Sequence, residues 1–246
     1  MSLVIATTTR YLSINNLRCQ LALEMISHTV DQKIPVVMVD SSSNPEEFRR
    51  VFERKGVIVL RERSHSTMGS SRRQAFAHAA EQKKEVVVWL EPEKAPLVPF
   101  LRAAAQPILS GAADIVVPSR SREGLLSYPR LQMYAEQCGN EAFRRLSGLE
   151  LDAWFGPRLM NQAGLDQFLA YDGLYGDRWD SIFIPLLRAQ AADLRLQSMP
   201  TEYRHPPIQT ETEEIETATG ITKRLEQLQT LVTALSQEAK RLGLTQ

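Results

Sequence analysis

The sequence predicts an α/β fold in which a mostly parallel β-sheet is flanked by helices, with one more helix at the C-terminus. Two observations lead to this prediction. Short apolar runs rich in β-branched residues recur along the chain, and near-continuous apolarity is typical of strands buried on both faces of a parallel sheet. Longer stretches with apolar residues at helical spacing lie between these runs, and such alternation is typical of βαβ units.

The first half of the chain predicts four strands and three helices. The strand sequences are "LVIAT", "PVVMVD", "VIVLRE" and "EVVVWLE", each too short for a helix. The second helix has the clearest ends, because Pro45 stands in its first turn and Gly56 follows its last residue. The predicted strands are Leu3–Thr7, Pro35–Asp40, Val57–Glu62 and Glu85–Glu91, and the predicted helices are Ser13–Val30, Pro45–Lys55 and Gly69–Lys84.

The second half is less regular. A further β-rich run, a long amphipathic stretch, a turn at "GP" and a final helix–strand pair follow one another. The predicted elements are a strand at Ala112–Arg120, a helix at Pro129–Gly148, a turn at Gly156-Pro157, a helix at Asp180–Ala192 and a closing strand at Leu194–Pro200.

The chain divides into one large domain and a C-terminal appendage. Residues 1–209 form the predicted α/β domain, and the polar, acidic stretch 210–220 is typical of a mobile linker. Residues 221–243 carry an apolar stripe at heptad spacing from Ile221 to Leu242. This stripe predicts either docking on the domain's own surface or a homodimer through residues 221–242, and the sequence leaves both open.

Composition excludes several classes of protein. Lys+Arg and Asp+Glu both number 29, so the net charge is zero, which argues against a nucleic-acid partner. The two cysteines, Cys19 and Cys138, have no metal-ligand spacing and fit a reducing compartment. The N-terminus lacks the basic region of a signal peptide, and no apolar run is long enough to span a membrane. We therefore expect a cytoplasmic protein.

Polar residues follow each of the first four predicted strands, where ligands bind in open parallel sheets. "TTTRYL" follows the first strand and makes Thr7 and Arg10 candidate ligand contacts. Asp40 ends the second strand; it can bind a base or ribose, or cap the turn "SSSN". After the third strand, "MGSSRR" begins a helix with Gly69, Arg72 and Arg73 placed to bind a diphosphate; the alternative is an exposed helix face.

The fourth strand ends in "EPEK", with two carboxylates separated by one proline. Glu91 and Glu93 lie on the same side of an extended segment, since side chains alternate there. Two carboxylates suit a hard divalent cation that also binds phosphate oxygens, and we expect Mn²⁺ or Mg²⁺. A solvated turn is the simpler alternative. Lys94 offers another, because its ammonium group can neutralise phosphate charge in place of a metal.

Two later segments add further candidates. "YGDRWDS" places Asp180 at a helix start, where it can cap the helix or accept a proton from a hydroxyl group. "EYRHPP" places His205 directly after the last predicted strand, as a candidate metal or phosphate contact.

Together these segments resemble GT-A-fold nucleotide-sugar glycosyltransferases of family 2 and the mannosylglycerate synthase type, over roughly the first 205 residues. "VDSSSN" is similar to the V-D-D-x-S loop, "MGSSRRQAF" to the G-x-x-x-A-R-N-x-G helix, and "YGDRWDSIF" to the acidic stretch near the acceptor. "VVVWLEPEK" stands where the family has its D-x-D motif, here altered to E-P-E, and "YRHP" stands where some members have a histidine metal ligand.

The resemblance implies a nucleotide-diphosphate sugar as donor and a small molecule or glycan as acceptor. Asp40 would contact the nucleoside, Glu91, Glu93 and His205 would hold the metal, and Asp180 would act at the acceptor. Whether the reaction inverts or retains configuration stays open, and so does the need for a metal. Two alternatives remain: a sugar-phosphate nucleotidyltransferase, whose glycine-rich loop is missing from "TTTRYL", and a non-catalytic protein that binds nucleotide sugars.

Overall fold

We describe the protein from a computed structural model, in which residues 2–214 and 218–244 are described. Within those residues seven strands form one sheet in the order β3-β2-β1-β4-β6-β5-β7. The strands are β1 Leu3–Thr9, β2 Val36–Asp40, β3 Ile58–Arg61, β4 Val86–Trp89, β5 Ile115–Arg120, β6 Arg158–Met160 and β7 Leu196–Thr201. All neighbours are parallel except β6, which is antiparallel to β4 and β5. The predicted α/β fold with a mostly parallel sheet is confirmed.

Helices cover both faces of the sheet. The α-helices are α1 Leu17–Asp31, α2 Pro45–Glu53, α3 Met68–Glu81, α4 Leu101–Ala104, α5 Gln106–Leu109, α6 Arg122–Leu126, α7 Arg130–Ser147, α8 Gln162–Leu169, α9 Ile184–Ala191, α10 Pro207–Glu214 and α11 Ala218–Arg241. Short 3-10 turns lie at Ala95–Phe100, Ala153–Phe155 and Trp179–Ile182.

Among the described strands, β6 is the one that the sequence did not predict. It is three residues long, follows the predicted turn at Gly156-Pro157, and contains Arg158, whose side chain is fully buried. Because β6 pairs on both sides, with Trp89 opposite Arg158, its formation depends on neighbours distant in sequence rather than on its own apolar pattern.

Two apolar cores lie on the two faces of the sheet, because successive residues of each strand point to opposite faces. In β1, Leu3 and Ile5 pack into the core that α1 covers, whereas Val4 and Ala6 pack into the core that α3 and α9 cover. The sheet edge where β1, β2 and β4 end is therefore held from both sides.

Helix α11 packs on its own chain. Leu235 and Ala239 of the heptad stripe are fully buried, as is Leu231 beside the stripe, whereas Ile221 and Leu225 near the start of the helix are about half exposed. The buried carboxylate of Glu238 accepts hydrogen bonds from Tyr175, Arg188 and Arg241. Of the two alternatives that the sequence left open, the structure shows docking within the chain for this part of the stripe.

The predicted linker is partly helical. Helix α10 runs through residues 207–214 and α11 begins at residue 218, so both ends of the predicted mobile linker 210–220 are helical where the structure describes them. Residues 215–217 of that prediction lie outside the described residues. Pro207 begins α10, and the Thr210 hydroxyl donates a hydrogen bond to the backbone carbonyl of Ser127.

Across the described ranges, every helix is too short or too polar to cross a lipid bilayer.

Candidate active site

Two adjoining cavities lie at the sheet edge where β1, β2 and β4 end. The first, which we call the strand-end cavity, has a volume of about 360 Å³, and its walls include Thr8, Thr9, Arg10, Tyr11, Ser41 and Thr67. The second, which we call the aromatic cavity, has a volume of about 330 Å³, and its walls include Lys94, Tyr128, Trp179, Tyr203 and His205. Both cavities fall at the position where open parallel sheets bind ligands.

A common set of residues, which we call the shared wall, lines both cavities. It consists of Arg18, Met68, Arg72, Glu91 and Glu93. Two carboxylates and two guanidinium groups thus stand where a molecule in one cavity would meet a molecule in the other.

Arg72 is the buried cation of the shared wall. Its Nη1 donates to the carbonyl oxygen of Arg178 and to the hydroxyl of Ser181, both at 2.7 Å, and its guanidinium lies 5.2 Å from the ring centre of Trp89. Its Nε has no hydrogen-bond partner. Burial lowers the pKa of Arg72 to about 10, and the charge of Glu91 opposes that shift. Arg72 therefore stays charged and keeps a donor for an anion.

Glu91 acts on a second buried cation as well. The guanidinium of Arg158 donates to the carbonyl oxygens of Pro157 and Ala153, and burial lowers its pKa to about 10, again opposed first by Glu91. The backbone at Gly156 has a φ of 104°, and a Cβ there would lie 2.0 Å from Oε1 of Glu91. The missing side chain at position 156 thus makes room for the Glu91 carboxylate.

Glu93 faces a different cation. Arg18 Nη1 lies 3.8 Å from its Oε1, and the Glu93 side chain is 17% exposed. Burial raises the pKa of Glu93 above its usual value, while the charges of Arg18 and Lys94 oppose the shift. A carboxylate with a raised pKa is a better proton acceptor than an exposed one.

The residues predicted to bind a metal do not form a three-ligand site. No group of three or more His, Cys, Asp or Glu side chains is placed to hold a metal ion among residues 2–214 and 218–244. One feature would suit a cation, since Oε2 of Glu91 is buried without a hydrogen-bond partner. Arg18 Nη1 lies 3.8 Å from Glu93 and the Arg72 guanidinium lines the same wall, so cationic side chains already stand beside this pair of carboxylates. Binding of Mn²⁺ or Mg²⁺ by Glu91, Glu93 and His205 stays a prediction.

Lys94 lies in the aromatic cavity and not in the strand-end cavity. Its Nζ donates to the Tyr128 hydroxyl at 3.2 Å and lies 4.7 Å from the ring centre of Phe155 and 5.4 Å from that of Tyr203. Ring faces attract a cation, so the cage holds the ammonium group in one place. His205 stacks on Tyr128 with the ring centres 4.2 Å apart.

Arg73 and Gly69 are used inside the fold and do not reach either cavity wall. Arg73 makes two hydrogen bonds to Asp177, at 2.6 and 2.9 Å, and Thr67 also donates to that carboxylate. A Cβ at Gly69 would lie 2.0 Å from the Asp177 carboxylate. The predicted contacts of Arg73 and Gly69 with a diphosphate are therefore replaced by contacts that fix the Asp177 loop on α3.

The N-terminus of α3 has few backbone donors left for an anion. The N–H of Gly69 donates to the carbonyl of Asp177, that of Ser70 to the Thr67 hydroxyl, and that of Ser71 to the carbonyl of Thr67. The Thr67–Ser70 capping box thus satisfies the groups that the sequence prediction assigned to a diphosphate. Arg72, one turn further on, is the charged residue of this helix that lines both cavities.

Asp180 is 2% exposed and lines neither cavity. It accepts hydrogen bonds from the Tyr171 hydroxyl and from the N–H groups of Asp177 and Arg178. The sequence predicted that Asp180 either caps a helix or accepts a proton. In the structure its carboxylate accepts hydrogen bonds from backbone N–H groups of the turn that precedes it. The neighbouring Trp179 is the residue of this turn that lines the aromatic cavity.

Thr7 and Asp40 lie behind the strand-end cavity. Asp40 is 3% exposed and accepts hydrogen bonds from the hydroxyls of Thr9 at 2.7 Å and Ser42 at 2.6 Å. Thr7 is fully buried in β1. The strand register pairs Thr9 with Asp40, and the cavity is lined here by Thr9 together with the following residues Arg10 and Ser41.

Several lining residues were not identified from the sequence. Trp179 and Tyr203 belong to the segments "YGDRWDS" and "EYRHPP", in which the sequence analysis named only Asp180 and His205 as candidate site residues. Lys223 and Arg224 come from α11, where a heptad stripe gives no sign that polar neighbours face a cavity. Contacts of this kind, between segments far apart in sequence, have no local signal.

The fold is that of the nucleotide-diphospho-sugar transferases, as predicted from the resemblance. A protein assigned as a nucleotide-diphospho-sugar transferase from Desulfovibrio desulfuricans superposes with a TM-score of 0.51 at 9% identity, over 96% of this chain and 99% of that one. Mannosyl-3-phosphoglycerate synthase from Rubrobacter xylanophilus gives a TM-score of 0.60 at 13% identity, over 100% of this chain and 76% of that one.

A cytidylyltransferase from Leptospira borgpetersenii also has this fold, with a TM-score of 0.52 at 12% identity over 96% of this chain and 97% of that one. The sequence itself matches no protein-family model and no curated protein sequence. At these identities the similarity establishes the fold, and the function has to be argued from the site.

Proposed function

We propose that the protein is a glycosyltransferase that moves a sugar from a nucleotide-diphosphate donor to a hydroxyl group of an acceptor. The observation that carries this proposal is the shared wall, where a buried arginine and two carboxylates separate two cavities at the ligand-binding edge of the sheet. A group-transfer enzyme must hold two substrates with their reacting atoms adjacent. The names of the structural neighbours support a nucleotide sugar as one of the two.

In this proposal the nucleoside binds in the strand-end cavity. Thr9, Tyr11 and Ser41 provide backbone and hydroxyl groups there, and the guanidinium of Arg10 is exposed at its mouth. Asp40 contributes by holding Thr9 and Ser42, which fixes the strand ends that form the wall.

The diphosphate would then lie against Arg72 at the shared wall. Arg72 is held by two hydrogen bonds and by Trp89, so it needs no reorganisation when negative charge builds on the departing diphosphate. A preorganised cation in a buried site stabilises developing charge more than a solvated one does. If a divalent cation binds at Glu91 and Glu93, it would add positive charge beside the diphosphate, and no step of the proposal is routed through it.

The acceptor would bind in the aromatic cavity. The rings of Tyr128, Trp179 and Tyr203 offer apolar faces together with polar edges, a combination that suits a polyhydroxylated molecule. If the reaction inverts configuration, Glu93 is the carboxylate at the shared wall whose raised pKa suits it to accept the acceptor's proton. Asp180 would act indirectly, by holding the turn that presents Trp179.

Two other functions have some support. The cytidylyltransferase neighbour favours nucleotidyl transfer, although "TTTRYL" after β1 lacks the glycine-rich loop expected for it. The altered E-P-E segment favours a protein that binds a nucleotide sugar without reaction.

The test is a thermal-shift panel of nucleoside diphosphates, nucleoside triphosphates and nucleotide sugars, followed by product analysis with the best ligand. A glycosyltransferase should be stabilised by one diphosphate and its sugar, and should release that diphosphate with the sugar transferred or hydrolysed. Stabilisation by a triphosphate with release of pyrophosphate would instead identify a nucleotidyltransferase. Binding without any turnover would favour the non-catalytic alternative, and stabilisation by no nucleotide would contradict the proposal.

A further inference from the structure

The aromatic cavity has an excess of positive charge on the walls that it does not share with the strand-end cavity. These walls carry three cationic side chains, Lys94, Lys223 and Arg224. Within the part of the chain that the structure describes, the same walls carry no carboxylate. The shared wall itself is balanced, because its two carboxylates face two guanidinium groups. The excess therefore belongs to the aromatic cavity alone.

The two lysines of this set have no carboxylate partner. Among the side chains that the structure describes, no carboxylate oxygen lies within ion-pair distance of Nζ in either Lys94 or Lys223. Lys94 instead donates to the Tyr128 hydroxyl at 3.2 Å and lies over the ring of Phe155. A cation that no carboxylate neutralises keeps its full attraction for an anionic ligand.

Arg224 is held at the cavity by two glutamines of the same wall. Its Nη2 donates to the side-chain oxygen of Gln132 on α7 at 2.6 Å, and its Nη1 donates to that of Gln227 at 3.5 Å. Gln132 and Gln227 both line the aromatic cavity. The guanidinium group is thus oriented before a ligand binds, which lowers the entropy that binding must overcome.

The three cations come from two elements that are far apart in sequence. Lys94 follows β4 and stands beside the shared wall, whereas Lys223 and Arg224 lie near the start of α11. Helix α11 packs against α7 and α9, and Glu238 anchors its other end. The positive lining is therefore complete only when α11 is docked on the domain.

From this lining we infer that the aromatic cavity binds an anionic acceptor, a small hydroxylated molecule with a phosphate or carboxylate group, and that Lys223 and Arg224 select it. This inference rests on the proposed function, since it names the class of acceptor. The reacting hydroxyl group would face the shared wall, and the anionic group would lie among Lys94 and the two cations of α11. A cavity of about 330 Å³ suits a small molecule rather than a long glycan.

The test compares Lys223→Glu with Lys240→Glu, which makes the same change of charge on the same helix. Both lysines are exposed, so both variants should fold. At the rise of an α-helix, Lys240 lies about 25 Å from Lys223 along α11. That distance is well beyond the screening length of about 8 Å at physiological ionic strength. Lys240→Glu therefore controls for the change in net charge.

Inorganic phosphate and sodium acetate are the probes, each titrated by calorimetry into protein saturated with the best nucleoside diphosphate, so that Arg72 is already occupied. For the anion that binds the wild type more tightly, we expect at least tenfold weaker binding to Lys223→Glu and less than a twofold change in Lys240→Glu. Lys223→Gln, which only removes the charge, should give an intermediate loss. Tighter binding of phosphate would indicate a phosphorylated acceptor, and tighter binding of acetate a carboxylate.

Equal losses in Lys223→Glu and Lys240→Glu would overturn the inference, and so would a wild type that binds neither anion at tens of millimolar. If no nucleoside diphosphate binds, the proposed function fails, and the same titrations without nucleotide still decide whether Lys223 belongs to an anion site.

The transfer assay gives a second measurement, with one hexose as acceptor in its neutral, carboxylate and phosphate forms. We expect kcat/KM to be at least tenfold higher for the better anionic form than for the neutral form, and Lys223→Glu to remove most of that preference. Faster transfer to the neutral form would overturn the inference and leave the proposed glycosyltransferase function intact.

Discussion

The strand-end cavity and the aromatic cavity share a wall but are built in different ways. The strand-end cavity consists largely of residues that directly follow β1, β2 and β4 or begin α3. Apart from the shared wall, the aromatic cavity is formed by residues between Lys94 and Gln227, and these include residues of α11. The first cavity follows from the parallel sheet itself, whereas the second exists only once the C-terminal half has packed.

This difference has a consequence for substrate recognition. Loops vary more than the sheet that carries them, so a cavity built on strand ends can stay the same while a cavity built on loops and later helices changes. The strand-end cavity then suits a substrate that many enzymes of this fold share, and the aromatic cavity suits a substrate that differs from one enzyme to the next. In the proposed function the shared substrate is the nucleotide sugar and the one that differs is the acceptor.

The largest effect should come from removing the anchor of α11. Glu238→Ala takes away a fully buried carboxylate that accepts hydrogen bonds from Tyr175, Arg188 and Arg241. We expect a loss of about 3 kcal/mol in the free energy of unfolding and a melting temperature lower by about 6–12 °C. Because α11 lines only the aromatic cavity, the affinity of the nucleoside diphosphate should change less than about threefold. An equal loss of nucleotide binding would contradict the independence of the two cavities.

A smaller effect is expected from Gly156→Ala. Both Gly156 and Gly111 have positive φ angles, but only at Gly156 would a Cβ meet a neighbour, the Glu91 carboxylate. Gly111→Ala should cost about 1 kcal/mol from backbone strain alone, and Gly156→Ala about 2 kcal/mol because Glu91 must also move. Chemical denaturation of the matched pair measures the difference, and equal losses would show that Glu91 is not confined by position 156.

Lys94→Met should affect the acceptor alone. The side chain keeps its length and can still pack among Tyr128, Phe155 and Tyr203, but the cation is lost. We expect an increase of about tenfold in KM for the acceptor, with the affinity of the nucleoside diphosphate within twofold of the wild type. A large loss of diphosphate affinity would place Lys94 at the donor instead.

The smallest effect is a pH dependence of stability. Burial opposes ionisation of Glu238, but hydrogen bonds from Arg241, Arg188 and Tyr175 outweigh it and lower its pKa from 4.5 to about 2. Its contribution is therefore complete above pH 4.5 and is lost as the pH falls toward 2. The difference in melting temperature between the wild type and Glu238→Gln should shrink between pH 5 and pH 3, and a difference that grows over that range would contradict the assignment.

The sequence was sufficient to predict the sheet and the strand-end cavity because both depend on local patterns. Apolar runs mark the parallel strands, and polar residues such as Arg10 and Ser41 follow the strand ends. The prediction failed where distant contacts decide the outcome. Arg73 has the right chemistry for a ligand, but Asp177, 104 residues further along the chain, already binds it. The Asp180 carboxylate is likewise occupied, by the hydroxyl of Tyr171.

The E-P-E segment shows the same limit for charge. Two glutamates with one residue between them suggest a metal site, but the motif does not show that Arg18 lies 3.8 Å from Glu93 or that Arg72 lines the same wall. The role of a carboxylate depends on which cations fold next to it, and a local motif does not contain that information.

The most direct test of the account is a calorimetric titration of the best nucleoside diphosphate into the wild type and into Arg72→Gln, both in EDTA, with Arg72→Lys as the control that keeps the charge. Arg72 lines both cavities and is the buried cation assigned to the diphosphate. We predict that Arg72→Gln weakens binding at least tenfold and that Arg72→Lys recovers part of the loss. Equal affinity in the wild type and Arg72→Gln would contradict the placement of the diphosphate at the shared wall.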